Sequence, residues 1–81
     1  MNRKTRRRIA RLNGQTIHHR KPKFFNGTDD RWNMIGVDEK RHIAFHYIFS
    51  INGRPMTIEE IVRDLSQTWI DPSWIITAQR R

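Results

Sequence analysis

The sequence predicts a small α+β domain, an antiparallel β-hairpin packed on one amphipathic helix, carrying a basic N-terminal arm. Three observations predict it. Positive charge is segregated at one end. Apolar residues alternate with a period of two in the middle of the chain. A capped amphipathic pattern follows. Residues 1–23 hold Arg3, Lys4, Arg6, Arg7, Arg8, Arg11, Arg20, Lys21 and Lys23 with no Asp or Glu. Residues 24–81 hold seven cations against eight acids, so the arm carries +9 and the rest −1 of the net +8. The organisation expected is therefore a flexible basic arm, residues 1–23, and a small globular domain, residues 24–81.

Composition excludes several classes. There is no Cys, which removes disulfides and thiolate zinc sites. No apolar run is long enough to span a membrane, and the basic start lacks the apolar stretch of a secretory signal. The expected location is the cytoplasm. A domain of under 60 residues is marginal on its own. Three Trp each bury much area and help such a core to suffice.

Within the arm, Thr5, Ile9 and Leu12 fall at helical spacing before the stop signal Asn13-Gly14. Repulsion along Arg6-Arg7-Arg8 keeps such a short helix from standing alone. Gln15 to Lys23 reads as a linker. Phe24 and Phe25 lie next to cations, and with Trp32 they are candidates for base stacking. The simpler reading has the two Phe anchor the arm on the core.

Arg31 to Val37 reads as a strand, and Asp38-Glu39-Lys40 as a turn. In His42 to Ile51, Ile43, Phe45, Tyr47, Phe49 and Ile51 alternate with the intervening residues, which predicts a half-buried strand. The two strands would make the hairpin. As a helix, His42 to Ile51 would show a very wide apolar arc. Asn52-Gly53 is a turn. Thr57 and Glu60 have capping-box spacing, and Ile58, Ile61, Val62, Leu65 and Trp69 share one helical face, so Thr57 to Trp69 is a helix backing the hairpin. Asp71-Pro72 suits a helix start, whereas Trp74-Ile75-Ile76-Thr77 suits a strand. Both remain open.

Gly53-Arg54-Pro55-Met56-Thr57-Ile58-Glu59-Glu60-Ile61-Val62-Arg63-Asp64-Leu65 resembles the second helix of winged helix-turn-helix proteins. That resemblance implies an all-α alternative and a DNA-binding regulator. His42 to Ile51 would be the first helix and Pro72 to Arg81 the recognition helix, with Ser73, Thr77, Gln79, Arg80 and Arg81 facing DNA. The start Met1-Asn2-Arg3-Lys4-Thr5-Arg6-Arg7-Arg8, with the small size and lack of Cys, resembles small basic early proteins of T4-like bacteriophages. That implies a phage-encoded, RNA-associated antagonist of a host toxin or RNA-directed defence enzyme.

Chemistry-bearing residues are His18, His19, His42, His46, Asp29, Asp30 and Asp71. His42 and His46 share a face whether on helix or strand and suit an acid/base pair or two metal ligands. No third ligand stands at a telling spacing, so neither metal nor cofactor is expected, and catalysis is set aside. The reading is a non-catalytic RNA-binding accessory or regulatory protein whose arm neutralises phosphates. The arm's nine cations are its binding residues. RNA is preferred over DNA because an Arg-rich flexible segment suits irregular RNA. A protein inhibitor whose arm docks on an acidic or RNA-bound partner is the other class. A homodimer through an open strand edge is a further expectation.

Overall fold

The computed structural model describes residues 14–81. The cations at Arg3, Lys4, Arg6, Arg7, Arg8 and Arg11, and the expected helix to Leu12, lie outside those residues. The architecture is α+β, as the sequence predicts, built among the described residues from two two-stranded antiparallel ribbons and two helices. Contacts gather into two compact units, one ending at Ile48 and the other Phe49–Arg81. Among the described residues, no helix is long and apolar enough to cross a membrane.

The first unit is a ββα arrangement. Strand β1, Gln15–His19, pairs antiparallel with β2, Met34–Asp38, in the register Gln15 to Asp38 through His19 to Met34. Helix α1, Glu39–Ile48, follows β2 directly and packs on both strands. This corrects two expectations. The segment from Gln15 is not a linker but the partner strand of β2. Residues His42 to Ile48 are helical, so the hairpin does not close at Asp38 to Lys40. The helix lying on this ribbon is Glu39–Ile48. The reason is local. Asp38 Oδ2 accepts from Arg41 N–H at 3.1 Å, an N-cap that starts a helix at the supposed turn. Glu39 then sits in the first turn, where its charge suits the helix dipole. The alternating apolar residues meet little burial penalty for breaking period: Ile43 and Tyr47 remain exposed.

Between β1 and β2 runs a tied loop with two single-turn 3-10 helices, Lys23–Phe25 and Arg31–Asn33. Asn33 is the one wholly buried side chain among the described residues. Its Oδ1 accepts from Lys21 N–H at 2.6 Å, and its Nδ2 donates to Lys21 O at 3.1 Å and Thr28 O at 2.8 Å. Every N–H of the amide is thus used, which is the condition for burying it. Gly27 N–H donates to Pro22 O at 2.9 Å. A Cβ at Gly27 would fall 1.8 Å from Lys21 O, so only glycine fits.

The second unit opens with a minimal hairpin, β3 Ser50–Ile51 and β4 Arg54–Pro55. Asn52 and Gly53 turn it with φ of 51° and 75°, the left-handed pair a two-residue hairpin requires. Helix α2, Ile58–Asp64, carries the predicted capping box in full. The helical path continues to Trp69 as a wider π turn, Leu65–Trp69, in which Trp69 Nε1 donates to Asp64 Oδ2 at 3.1 Å. Arg54 holds Glu60 in a two-pronged ion pair at 2.8 and 2.9 Å. That pairing, with the Thr57 amide, pulls the Glu60 carboxyl down to about 2. Beyond Asp71 there is neither helix nor strand. The recognition helix of the helix-turn-helix alternative is therefore missing, because Asp71 commits its carboxylate to Ser73 N–H and Oγ and closes a turn rather than capping a helix.

Candidate metal centre

Alternation along β1 sends Thr16 and His18 to the same side of the ribbon, and α1 lies there. On α1, His42 and His46 are one turn apart and share a face. The three imidazoles therefore meet. His18 Nδ1 is 3.3 Å from His42 Nε2, and His46 Nε2 is 2.9 Å from His42 Nε2. One ligand nitrogen from each lies within 4.8 Å of the others. A tetrahedral ion with bonds of about 2.05 Å spaces its nitrogens about 3.3 Å apart, so the cluster needs only small side-chain shifts to close on one. Among the described residues no other His, Asp or Glu joins this group.

The surroundings favour ligation. Thr16 Oγ1 is 2.5 Å from His42 Nδ1. Donation from Nδ1–H to that hydroxyl leaves the Nε2 lone pair directed at the cluster, the orienting role that outer partners of metal-bound histidines play. Phe45 stands edge-on to His18 at 5.1 Å and to His46 at 5.5 Å between ring centroids, an apolar neighbour to both. Burial lowers the pKa of all three imidazoles, and nearby His charges lower His18 and His42 further. The neutral form, which binds metal, is the one favoured.

His19 follows His18 at the end of β1. Its Nε2 lies 2.7 Å from Asp29 Oδ1, so donation of that proton leaves Nδ1 as an acceptor. Alternation along β1 turns the His19 side chain to the face opposite His18, and it stands outside the three-imidazole group.

Of the predicted binding residues, Arg20, Lys21 and Lys23 lie in the tied loop. Arg20 Nη1 reaches Trp32 O at 3.5 Å, Lys21 is exposed, and Lys23 pairs with Asp29 at 2.9 Å. Phe24 and Trp32 are 62% and 63% exposed. Phe25 is half-buried and meets Phe24 edge-on. Asp30 accepts from Thr28 Oγ1 at 2.7 Å, and Asp71 belongs to the second unit; neither joins the cluster. Sequence spacing finds His42 and His46 but misses His18 as their third member, because the strand that presents it reads as a linker. A signal is present as Thr16-x-His18, period-two spacing facing a His-x-x-x-His helix. Comparison with protein-family models, curated proteins and solved structures finds no match to this chain.

Proposed function

We propose that the chain is a metal-dependent phosphodiesterase acting on nucleic acid, with the ion held by His18, His42 and His46. The observation that carries this reading is the convergence of three neutral-leaning imidazoles from a strand and a helix. Three imidazoles suit Zn²⁺ or a neighbouring transition ion rather than Mg²⁺, which prefers oxygen ligands. Structural zinc sites are closed by four protein ligands, whereas three protein ligands with water in the fourth position is the hydrolytic pattern. A bound ion supplies Lewis acidity to a phosphoryl oxygen and lowers the pKa of water.

The chain's own groups hold the ion and meet the phosphate. The attacking water gives its proton to solvent. The water oxygen forms the new bond to phosphorus. The bond to the leaving sugar oxygen breaks, and that oxygen takes a proton from solvent. No redox change occurs. Arg20, next to His19 in sequence, offers charge to the phosphate. Segregated positive charge from the N-terminal residues favours a polyanionic substrate.

The test is cleavage of labelled RNA and DNA by the full chain with Zn²⁺, Mn²⁺ or Mg²⁺ and with chelator. Expected is cleavage that a transition ion restores after chelation and that His42→Ala and His46→Ala remove. Equal product with and without chelator sinks the proposal. Binding without cleavage under every ion favours instead the non-catalytic RNA-binding reading, which charge segregation alone supports.

A further inference from the structure

We infer that the substrate is single-stranded nucleic acid, gripped through its unpaired bases by Phe24 and Trp32. This rests on the proposal that nucleic acid is the substrate, and adds which form of it is taken. Both rings stand more than 60% exposed, on the loop that joins the strand of His18 and His19 to the strand leading into α1. An exposed ring on a slack loop is ordinary. These two are held outward by a loop that is cross-tied. Each sits in its own 3-10 turn. The first turn is closed by Phe25 N–H to Pro22 O at 2.9 Å and Asn26 N–H to Lys23 O at 3.0 Å, and the second by Asn33 N–H to Asp30 O at 2.9 Å. Buried Asn33, at the far end of the loop, then ties itself to the near end at Lys21 and to the middle at Thr28. Rings displayed on such a frame lose little freedom when a base stacks on them, so more of the stacking energy appears as affinity.

Charge points to the occupant. Residues 20–33 carry Arg20, Lys21, Lys23 and Arg31 against Asp29 and Asp30, and Asp29 is already engaged by His19 and Lys23. Cations that follow a backbone beside outward rings form the groove type that binds single strands, since every base has a face to stack. A duplex keeps its bases stacked inside and offers the rings nothing.

The experiment is equilibrium binding by fluorescence anisotropy in chelator, where no cleavage occurs. Labelled single-stranded RNA, single-stranded DNA, duplex DNA and an abasic strand of equal length are compared. Full-length chain, Phe24→Ala, Trp32→Ala and the ring-keeping variants Phe24→Tyr and Trp32→Phe are titrated. Expected is tighter binding of both single strands than of duplex or abasic strand. Each Ala variant should lose about 5- to 100-fold on single strands and leave duplex and abasic binding within about 2-fold, as follows if only stacking is lost. The loss should fall on RNA and DNA single strands alike, because stacking needs a base face and not a particular sugar. Ring-keeping variants should bind as the parent does. Equal losses on every ligand, or a parent that prefers duplex, overturns the inference. So does self-association abolished by Phe24→Ala with nucleic-acid affinity unchanged. Because the readout needs no turnover, failure here leaves metal-dependent cleavage standing. Absence of cleavage likewise leaves this selectivity measurable.

Discussion

Thr16 Oγ1 and His42 Nδ1 lie 2.5 Å apart across the seam between β1 and α1, 26 residues distant in sequence. The contact aligns strand with helix and turns the far nitrogen of His42 toward His18 and His46. Removing the hydroxyl while keeping the shape should release His42 without emptying the cluster. Thr16→Val is therefore expected to weaken Zn²⁺ binding about 10- to 100-fold, the usual cost of an outer partner, with Thr16→Ser close to the parent. Competition against a chromophoric chelator measures it. Equal affinity of all three proteins would show that Thr16 does not orient His42.

His19 tests which face of the ribbon holds the ion. It is outside the three-nitrogen cluster, and alternation along β1 turns it away from the face that His18 presents to α1. His19→Ala should therefore keep Zn²⁺ affinity within about 3-fold, since no ligand is removed. Competition against a chromophoric chelator measures it. A variant that loses metal and activity together would make His19 a ligand instead.

Asn33 tests the loop. Asn33→Ala leaves the Lys21 amide and the Lys21 and Thr28 carbonyls without their partner, and should destabilise the first unit by about 3 kcal/mol. Asn33→Asp keeps the acceptor but aims oxygen at two carbonyls, so it should fare no better. Chemical denaturation of the full chain, followed by circular dichroism, reads both. Near-parent stability of either variant contradicts the role given to this amide.

Glu60 governs acid behaviour in the second unit. Its carboxyl falls from 4.5 to about 2 through Arg54 and the Thr57 amide. A depressed carboxyl adds stability above its unfolded value, and that stability is lost as pH falls from 4.5 through about 2. Glu60→Gln should be less stable at neutral pH and lose less on acidification through that window. Helix signal against pH checks it; an unchanged slope would mean that the Arg54 pair adds nothing to folding.

Particular residues explain which parts of this fold are legible in the sequence. Thr57 and Glu60 announce α2 because a capping box is local, needing only residues three apart. Asn52-Gly53 is local in the same way. His42 to Ile51 misleads because alternating Ile, Phe and Tyr satisfy a strand pattern wherever they occur, whereas the Asp38 cap upstream decides for helix. Gln15 to His19 is hidden because β1 has five residues, two of them His, and its pairing partner stands beyond a loop spanning residues 20–33. The candidate site inherits that gap. Two ligands one helical turn apart can be read from spacing, but the third depends on strand pairing that sequence order does not show.

The most direct measurement is calorimetric titration of Zn²⁺ into the metal-stripped full chain at neutral pH, beside His18→Ala. If His18, His42 and His46 form one centre, the parent takes up one ion per chain, and His18→Ala weakens binding by more than about 100-fold, beyond the cost of an outer partner. Uptake of no ion by the parent, or equal uptake by His18→Ala, contradicts the account.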